Sequence, residues 1–115
     1  MKYLLMHNLE EKIKEKTLNS YLKEEYKIIY EDKQNIIITN DKEKIIDEEI
    51  YIKITLNIIK RNELINNSKG LIIDITKAFE YAKTKKEYDK FKNKFDWYIR
   101  NIITKEIINS TSSSC

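Results

Sequence analysis

The sequence predicts an α+β domain in which a three-stranded antiparallel β-meander carries helices packed on one face. Two short runs of β-branched residues are separated by the hairpin-length connection DKQ. An eleven-residue segment, Glu49–Ile59, alternates between apolar and polar positions, and after Gly70 the apolar period changes to 3.6. The predicted element order is α-β-β-β-α-α.

The N-terminal segment is predicted to be helical. Asn8 followed by Glu11 has the form of a capping box, in which two side chains satisfy free N–H groups at a helix start. The apolar stripe changes face at 17–20, so the helix bends there or two short helices meet. A short first strand at 3–6 is the alternative.

Two strands are predicted next, at 26–31 (YKIIYE) and 35–39 (NIIIT). The following NDKE, residues 40–43, again has the form of a capping box. It either starts one helical turn through Ile46 or forms a loop into the next strand.

The third and longest strand is predicted over Glu49–Ile59. A strand would gather its alternating aliphatic side chains on one face, whereas a helix would spread them around its axis. The predicted core face is Ile50, Ile52, Ile54, Leu56 and Ile58, and the predicted solvent face is Tyr51, Lys53, Thr55 and Asn57.

Two helices are predicted to follow. The first has the apolar stripe Leu71, Ile75, Ala78 and Ala82. The second opens at a capping box of Thr84 and Glu87 and has the stripe Tyr88, Phe91, Phe95, Tyr98 and Ile102. Residues 1–109 are expected to form a single domain, and the Ser-rich residues 110–115 a disordered tail.

Composition excludes several classes of protein. Charged residues make up 36% of the chain, yet its aliphatic content is too high for disorder. No signal peptide and no membrane span are recognisable, so a cytoplasmic protein is expected, in the host cytoplasm if it is viral.

The single histidine, His7, and the single cysteine, Cys115, predict no disulfide, metal site or cofactor. His7 is interpreted as an ordinary residue at an element boundary. Residues with A/T-rich codons dominate, which is typical of a virus, a plasmid or a low-GC cell.

A metal-dependent nuclease is the enzymatic alternative, because some such enzymes place a Glu-x-Lys pair on a strand. The pattern occurs at residues 10–12, 25–27 and 31–33. About two matches are expected by chance at this Glu and Lys content, and none of the three follows a strand that carries Asp. The acidic run 47–49 does not converge on one ion if it lies on a strand. No catalytic residue is therefore assigned.

The last predicted helix carries the most informative surface. At 100° per residue, Trp97 falls opposite the apolar stripe and in the middle of a basic face. Residues 69–105 contain ten basic and five acidic residues. We call this surface the Trp97 face, and its candidate binding residues are Lys86, Lys90, Lys94, Trp97, Arg100 and Asn101.

Three interpretations of the Trp97 face remain open. Trp97 packs on another helix or across a dimer, or it is a hot spot for a protein partner, or it stacks on an unpaired base while the lysines contact phosphates.

The expected function is a small non-enzymatic binding protein, an accessory protein of a virus or mobile element, which forms a homo-oligomer. We expect a protein partner rather than nucleic acid, and we expect no association with a membrane. The element order alone resembles that of some small phage inhibitors of CRISPR nucleases, and no residue is carried over from them. This prediction assumes a strand at 49–59 and an indole that faces outward.

Overall fold

The computed structural model describes residues 1–45, 47–61, 70–84 and 88–113, with side-chain environments for 1–45, 47–61, 70–83 and 93–105. Its elements are β1 (Tyr3–His7), α1 (Glu11–Lys23), β2 (Lys27–Glu31), β3 (Asn35–Thr39), α2 (Glu48–Arg61), β4 (Leu71–Asp74), α3 (Thr76–Thr84) and α4 (Tyr88–Ser113). The α+β class is confirmed. The observed order begins with a strand and interrupts the strands with α2, so the resemblance to phage inhibitors, which rested on order alone, is lost.

The sheet of the described residues has four antiparallel strands in the order β2-β3-β1-β4. β1 lies in its interior, where Leu5 pairs with Ile37 on one side and with Ile73 on the other. The strands predicted at 26–31 and 35–39 are confirmed, as is the alternative of a strand at 3–6. The three-stranded meander is wrong, because the sheet contains β1 and β4 and does not contain 49–59.

The segment Glu49–Ile59 lies within helix α2, so the predicted long strand is wrong. Its buried residues recur with helical spacing and include two that were predicted for the solvent face; they are Tyr51, Ile52, Thr55, Ile58 and Ile59. Acidic Glu48 and Glu49 occupy the first turn, and basic Lys60 and Arg61 the last. These charges complement the helix dipole and favour a helix at this position.

Helices lie on both faces of the sheet, so the prediction that they pack on one face is also wrong. The larger core joins one face of the sheet to α2, α3 and α4. The opposite face packs against Leu18 and Tyr21 of α1. Helix α1 is continuous from Glu11 to Lys23, and its N-cap, Glu10, makes no side-chain cap hydrogen bond. The predicted capping box at Asn8 and Glu11 is therefore not formed. Of the two alternatives at 17–20, the junction of two short helices is excluded, and the bend stays a prediction.

The helix predicted from Leu71 begins later, at Thr76, because 71–74 form β4. Asp74 ends the strand and caps the helix: the Thr76 N–H donates to its Oδ1 at 2.9 Å. In α4, Phe95 of the predicted stripe is fully buried, whereas Tyr98 and Ile102 are only half-buried. The fully buried Ile99 and Ile103 lie beside that stripe, at the same helical spacing. Helix α4 runs through Ser113, beyond the predicted domain end at 109. The disorder of the tail stays a prediction, and the capping residue Glu87 lies outside the described residues.

Gly70 brings the start of β4 against the end of β1. Its φ is +102°, and a Cβ at this position would lie 2.6 Å from the backbone oxygen of Asn8. Both the left-handed backbone and the close approach require a residue without a side chain. The chain's single glycine therefore holds the end of β1 and the start of β4 side by side.

Candidate functional site

Trp97 lies on the solvent side of α4. It is 59% exposed, whereas Phe95, two residues before it, is fully buried in the core. The outward orientation predicted for the indole is thus confirmed. Of the two assumptions behind the binding prediction, the strand at 49–59 is wrong and the outward indole holds. The orientation of the indole follows from the register of α4 and does not involve residues 49–59. An exposed indole is unusual, because this large apolar ring is more stable against a partner surface than in water.

The Trp97 ring is supported by its neighbours. It makes an edge-to-face contact with Tyr98 at a centroid distance of 5.3 Å and an interplanar angle of 76°. Tyr98 in turn contacts Tyr81 of α3, at 5.1 Å. An open concavity of about 480 Å³ beside the ring is lined by Asn93, Lys94, Trp97 and Tyr98. This packing presents the indole with one edge supported and much of its surface exposed.

One cation of the Trp97 face is already paired. Arg100 Nε lies 3.0 Å from Asp96 Oδ2, one helical turn away, so this cation is already paired. Lys94 is exposed and has no ion pair within the described part of the chain. Asn101, one helical turn after Trp97, is also exposed. Lys86 lies outside the described residues. Lys90 belongs to α4, but its side chain is not among those described.

Lys83, at the start of the lysine-rich stretch 83–94, has a structural role. Its Nζ lies 3.0 Å from Asp41 Oδ2 and 2.9 Å from Glu43 Oε2. These contacts with Glu43 and Asp41 raise the pKa of Lys83 above its ordinary value. The ammonium group joins the end of α3 to the loop after β3, and it is not free to bind phosphate.

Asp41 is the centre of this loop. Burial alone would raise its pKa, but hydrogen bonds from the Glu43 N–H, the Tyr3 hydroxyl and Lys83 bring the pKa below the ordinary value. The Tyr3 hydroxyl donates to Asp41 Oδ2 at 2.7 Å, and burial together with this carboxylate raises the pKa of Tyr3. Residues 40–45 form a loop, the second of the two predicted alternatives, although the loop leads into helix α2.

The described residues contain no group of three or more His, Cys, Asp or Glu side chains placed to hold a metal ion. None of the helices in this part of the chain has both the length and the apolarity needed to cross a membrane. Comparisons with models of protein families, with curated proteins and with solved structures find no match for the chain.

Sequence reasoning missed a second place of interest, around His7. This residue lies at the end of β1, is 1% exposed, and borders a cavity of about 320 Å³ between the sheet and α2. It was interpreted as an ordinary boundary residue, and the signal that distinguishes it is the pairing of β1 with β3. That pairing places Asn35 directly opposite His7.

Proposed function

We propose that the chain is a non-enzymatic protein-binding module that docks on another protein through the Trp97 face. The observation that carries this proposal is the 59% exposure of Trp97 on a well-packed helix. Tryptophan is enriched at binding hot spots, since its large rigid ring removes much apolar area from water at a small entropic cost. Tyr98 supports the ring, so little ordering is needed on binding.

The pairing of charges supports a protein partner over nucleic acid. Lys83 and Arg100 already contact carboxylates, and Lys94 is a cation near the indole that has no ion pair among the described residues. Non-specific phosphate binding depends on many free cations that release counterions. The exposed amides Asn93 and Asn101 flank the ring and suit the polar rim of a protein interface.

A second copy of the chain is the simplest partner to test first, in keeping with the predicted homo-oligomer. The role of accessory protein in a virus or mobile element, and the cytoplasmic location, rest on composition and remain part of the proposal. A direct test uses light scattering of the purified protein and of Trp97→Ala. Dissociation of a dimer by this substitution would identify the second copy as the occupant of the face.

If the partner is a different protein, a photo-reactive residue at position 97 is used to crosslink it to the chain in cells. Each captured protein is then purified, and its affinity for the purified chain is measured. We expect Trp97→Ala to weaken the purified complex by about 30-fold or more, the effect of a hot spot worth about 2 kcal/mol. The control is Ile13→Ala on α1, an apolar residue 51% exposed on the opposite side of the sheet. Equal affinity of wild type and Trp97→Ala for both kinds of partner would refute the proposal.

The two rival functions make different predictions. A nucleic-acid binder would hold a single-stranded oligonucleotide with an affinity that falls by orders of magnitude between low and moderate salt. A nuclease would cut DNA or RNA in the presence of Mg²⁺ or Mn²⁺. Oligonucleotide binding that is abolished by Trp97→Ala would replace the protein-binding proposal. So would cleavage of DNA or RNA that is abolished by removal of the metal.

A further inference from the structure

The concavity beside Trp97 is lined by two adjacent rows of side chains on α4. Asn93 and Trp97 lie one helical turn apart in the first row, and Lys94 and Tyr98 form the second. The two aromatic rings contact each other edge to face and supply the apolar part of the lining. The volume of about 480 Å³ lies within the range of roughly 300–1,000 Å³ that binding pockets occupy. Because the concavity is open to solvent, it suits side chains on the surface of a partner.

Lys94 is the one cation among the described residues that line the concavity. Its side chain is exposed, and no carboxylate of the described part of the chain lies within ion-pair distance of it. Asp96 is the single acid between residues 93 and 105; it is held by Arg100 at 3.0 Å and does not line the concavity. The Lys94 ammonium group is therefore free to pair with a carboxylate from another molecule.

The charge around the concavity favours an acidic partner. Residues 93–105 contain three cations against one acid, and residues 85–92 contain four lysines against two acids. A positive surface attracts an acidic partner and orients it during the encounter. One free ammonium group beside an indole matches a single carboxylate, whereas the backbone of a nucleic acid is bound by a row of free cations.

The spacing of Lys94 and Trp97 sets the spacing of the residues that can contact both. Side chains three positions apart on a helix have Cβ atoms about 5–6 Å apart. In an extended segment, residues two positions apart point to the same face and are separated by about 6.5 Å. An acidic and an aliphatic residue at this separation reach the ammonium group and the indole together. The exposed amide of Asn93 can donate to the backbone of the same segment.

We propose that the Trp97 face recognises a short extended segment of a partner protein in which an acidic and an aliphatic residue are two positions apart. The carboxylate pairs with Lys94, and the aliphatic side chain packs on the indole of Trp97, which Tyr98 supports. The Asn93 amide bonds to the backbone between them. This inference rests on the proposed function and adds the chemistry of the segment that is bound.

The test measures the binding of synthetic peptides to the full chain. The probe is Gly-Glu-Ser-Leu-Gly with blocked ends; in two control peptides Gln replaces its Glu or Ala replaces its Leu. Binding is followed by NMR at the indole N–H of ¹⁵N-labelled protein, which needs no assignment because the chain has one tryptophan. The Glu peptide should shift this resonance saturably. The Gln peptide should bind about threefold to fivefold more weakly, and the Ala peptide at least about fivefold more weakly.

A double-mutant cycle locates the contact of the carboxylate. Lys94→Gln should weaken binding of the Glu peptide about threefold to fivefold and leave that of the Gln peptide unchanged. The matched control is Lys105→Gln, which removes another exposed lysine of α4 that does not line the concavity. It should change the affinity for the Glu peptide by less than about twofold. Equal affinity of the Glu and Gln peptides, an equal effect of the two lysine variants, or no shift with any peptide would overturn the inference.

These outcomes are distinct from those that decide the proposed function. If Trp97→Ala weakens a purified protein complex while the Glu and Gln peptides bind equally, the protein-binding proposal is supported and the acidic segment is refuted. A single-stranded oligonucleotide that shifts the indole resonance where the peptides do not would assign the face to nucleic acid and overturn both.

Discussion

At the scale of single residues, Asp41 connects parts of the chain that are far apart in sequence. Its carboxylate accepts from Tyr3 at the start of β1 and from Lys83 near the end of α3. The residue is 2% exposed, so these bonds are made where water cannot replace them. Losing such a partner costs the desolvation energy of the groups left behind, about 1–3 kcal/mol.

We expect Asp41→Asn to lower the free energy of unfolding at pH 7 by about 1–3 kcal/mol. The pKa of Asp41 is lowered from 3.8 in the folded state, so its contribution is fully present above 3.8 and is lost as the pH falls through the folded pKa. The gap between wild type and variant should therefore shrink as the pH falls below 3.8 and through the folded pKa. Urea unfolding at pH 7 and across this acid range measures it.

The control for this substitution is Asp47→Asn, which changes an exposed aspartate in the same connection. It should leave stability within about 0.5 kcal/mol of wild type. On the alkaline side, the pKa values of Tyr3 and Lys83 are raised from 10.0 and 10.5, so their contribution is present below about pH 10 and is lost as the pH rises. A constant gap across the acid range would contradict the role given to Asp41.

The residues of the two sites differ in how far the sequence could predict them. The exposure of Trp97 follows from the local period of one helix, so it could be read from the spacing of Phe95 and its neighbours. The pairing of Lys83 with Asp41, and of His7 with Asn35, joins residues far apart in sequence. Such contacts depend on strand register and helix docking, which a local pattern does not contain.

At the scale of elements, α2 shows how a period of two can mislead. β-Branched residues lose only a few tenths of a kcal/mol in a helix, and tertiary burial overrides that preference. The buried set runs through Tyr51, Thr55 and Ile58, which is a helical stripe. An eleven-residue strand would also have been long, since most strands have about five or six residues. The charges at the two ends of the segment were the better indicator.

Two substitutions in α2 distinguish helix from strand in solution. Tyr51 is buried and contacts Phe95 at a centroid distance of 4.4 Å, so Tyr51→Ala should cost about 3–5 kcal/mol. Ile50 is 38% exposed, and Ile50→Ala should cost less than about 1 kcal/mol. A strand would reverse this order, with Ile50 in the core and Tyr51 in solvent. Thermal or urea unfolding of the two variants decides between them.

At the scale of the whole molecule, the sheet order gives its strands unequal protection. Within residues 1–45, 47–61, 70–84 and 88–113, β1 and β3 have neighbours on both sides, whereas β2 and β4 are edge strands. The sequence predicted two of these four strands, with β1 as an alternative. It missed β4 because a four-residue strand that leads into a helix shares the apolar residues Leu71 and Ile75 with the helical stripe.

Amide hydrogen exchange should reflect this order. The hydrogen-bonded amides of β1 and β3 should exchange only through global unfolding, whereas those of β4 should exchange through smaller openings at the edge. The edge strands serve as the internal control, because all four are measured in one sample. Faster exchange in β1 than in β4 would show that the first strand is not held in the interior of the sheet.

The interior position of β1 has a consequence for biosynthesis. During synthesis β1 leaves the ribosome before its partner on one side, β4, which emerges only after α2 has been made. Until then the nascent chain presents an open strand edge, and Gly70 has not yet met Asn8. Since an open edge can pair with other chains, the half-made polypeptide is the form most in need of a chaperone.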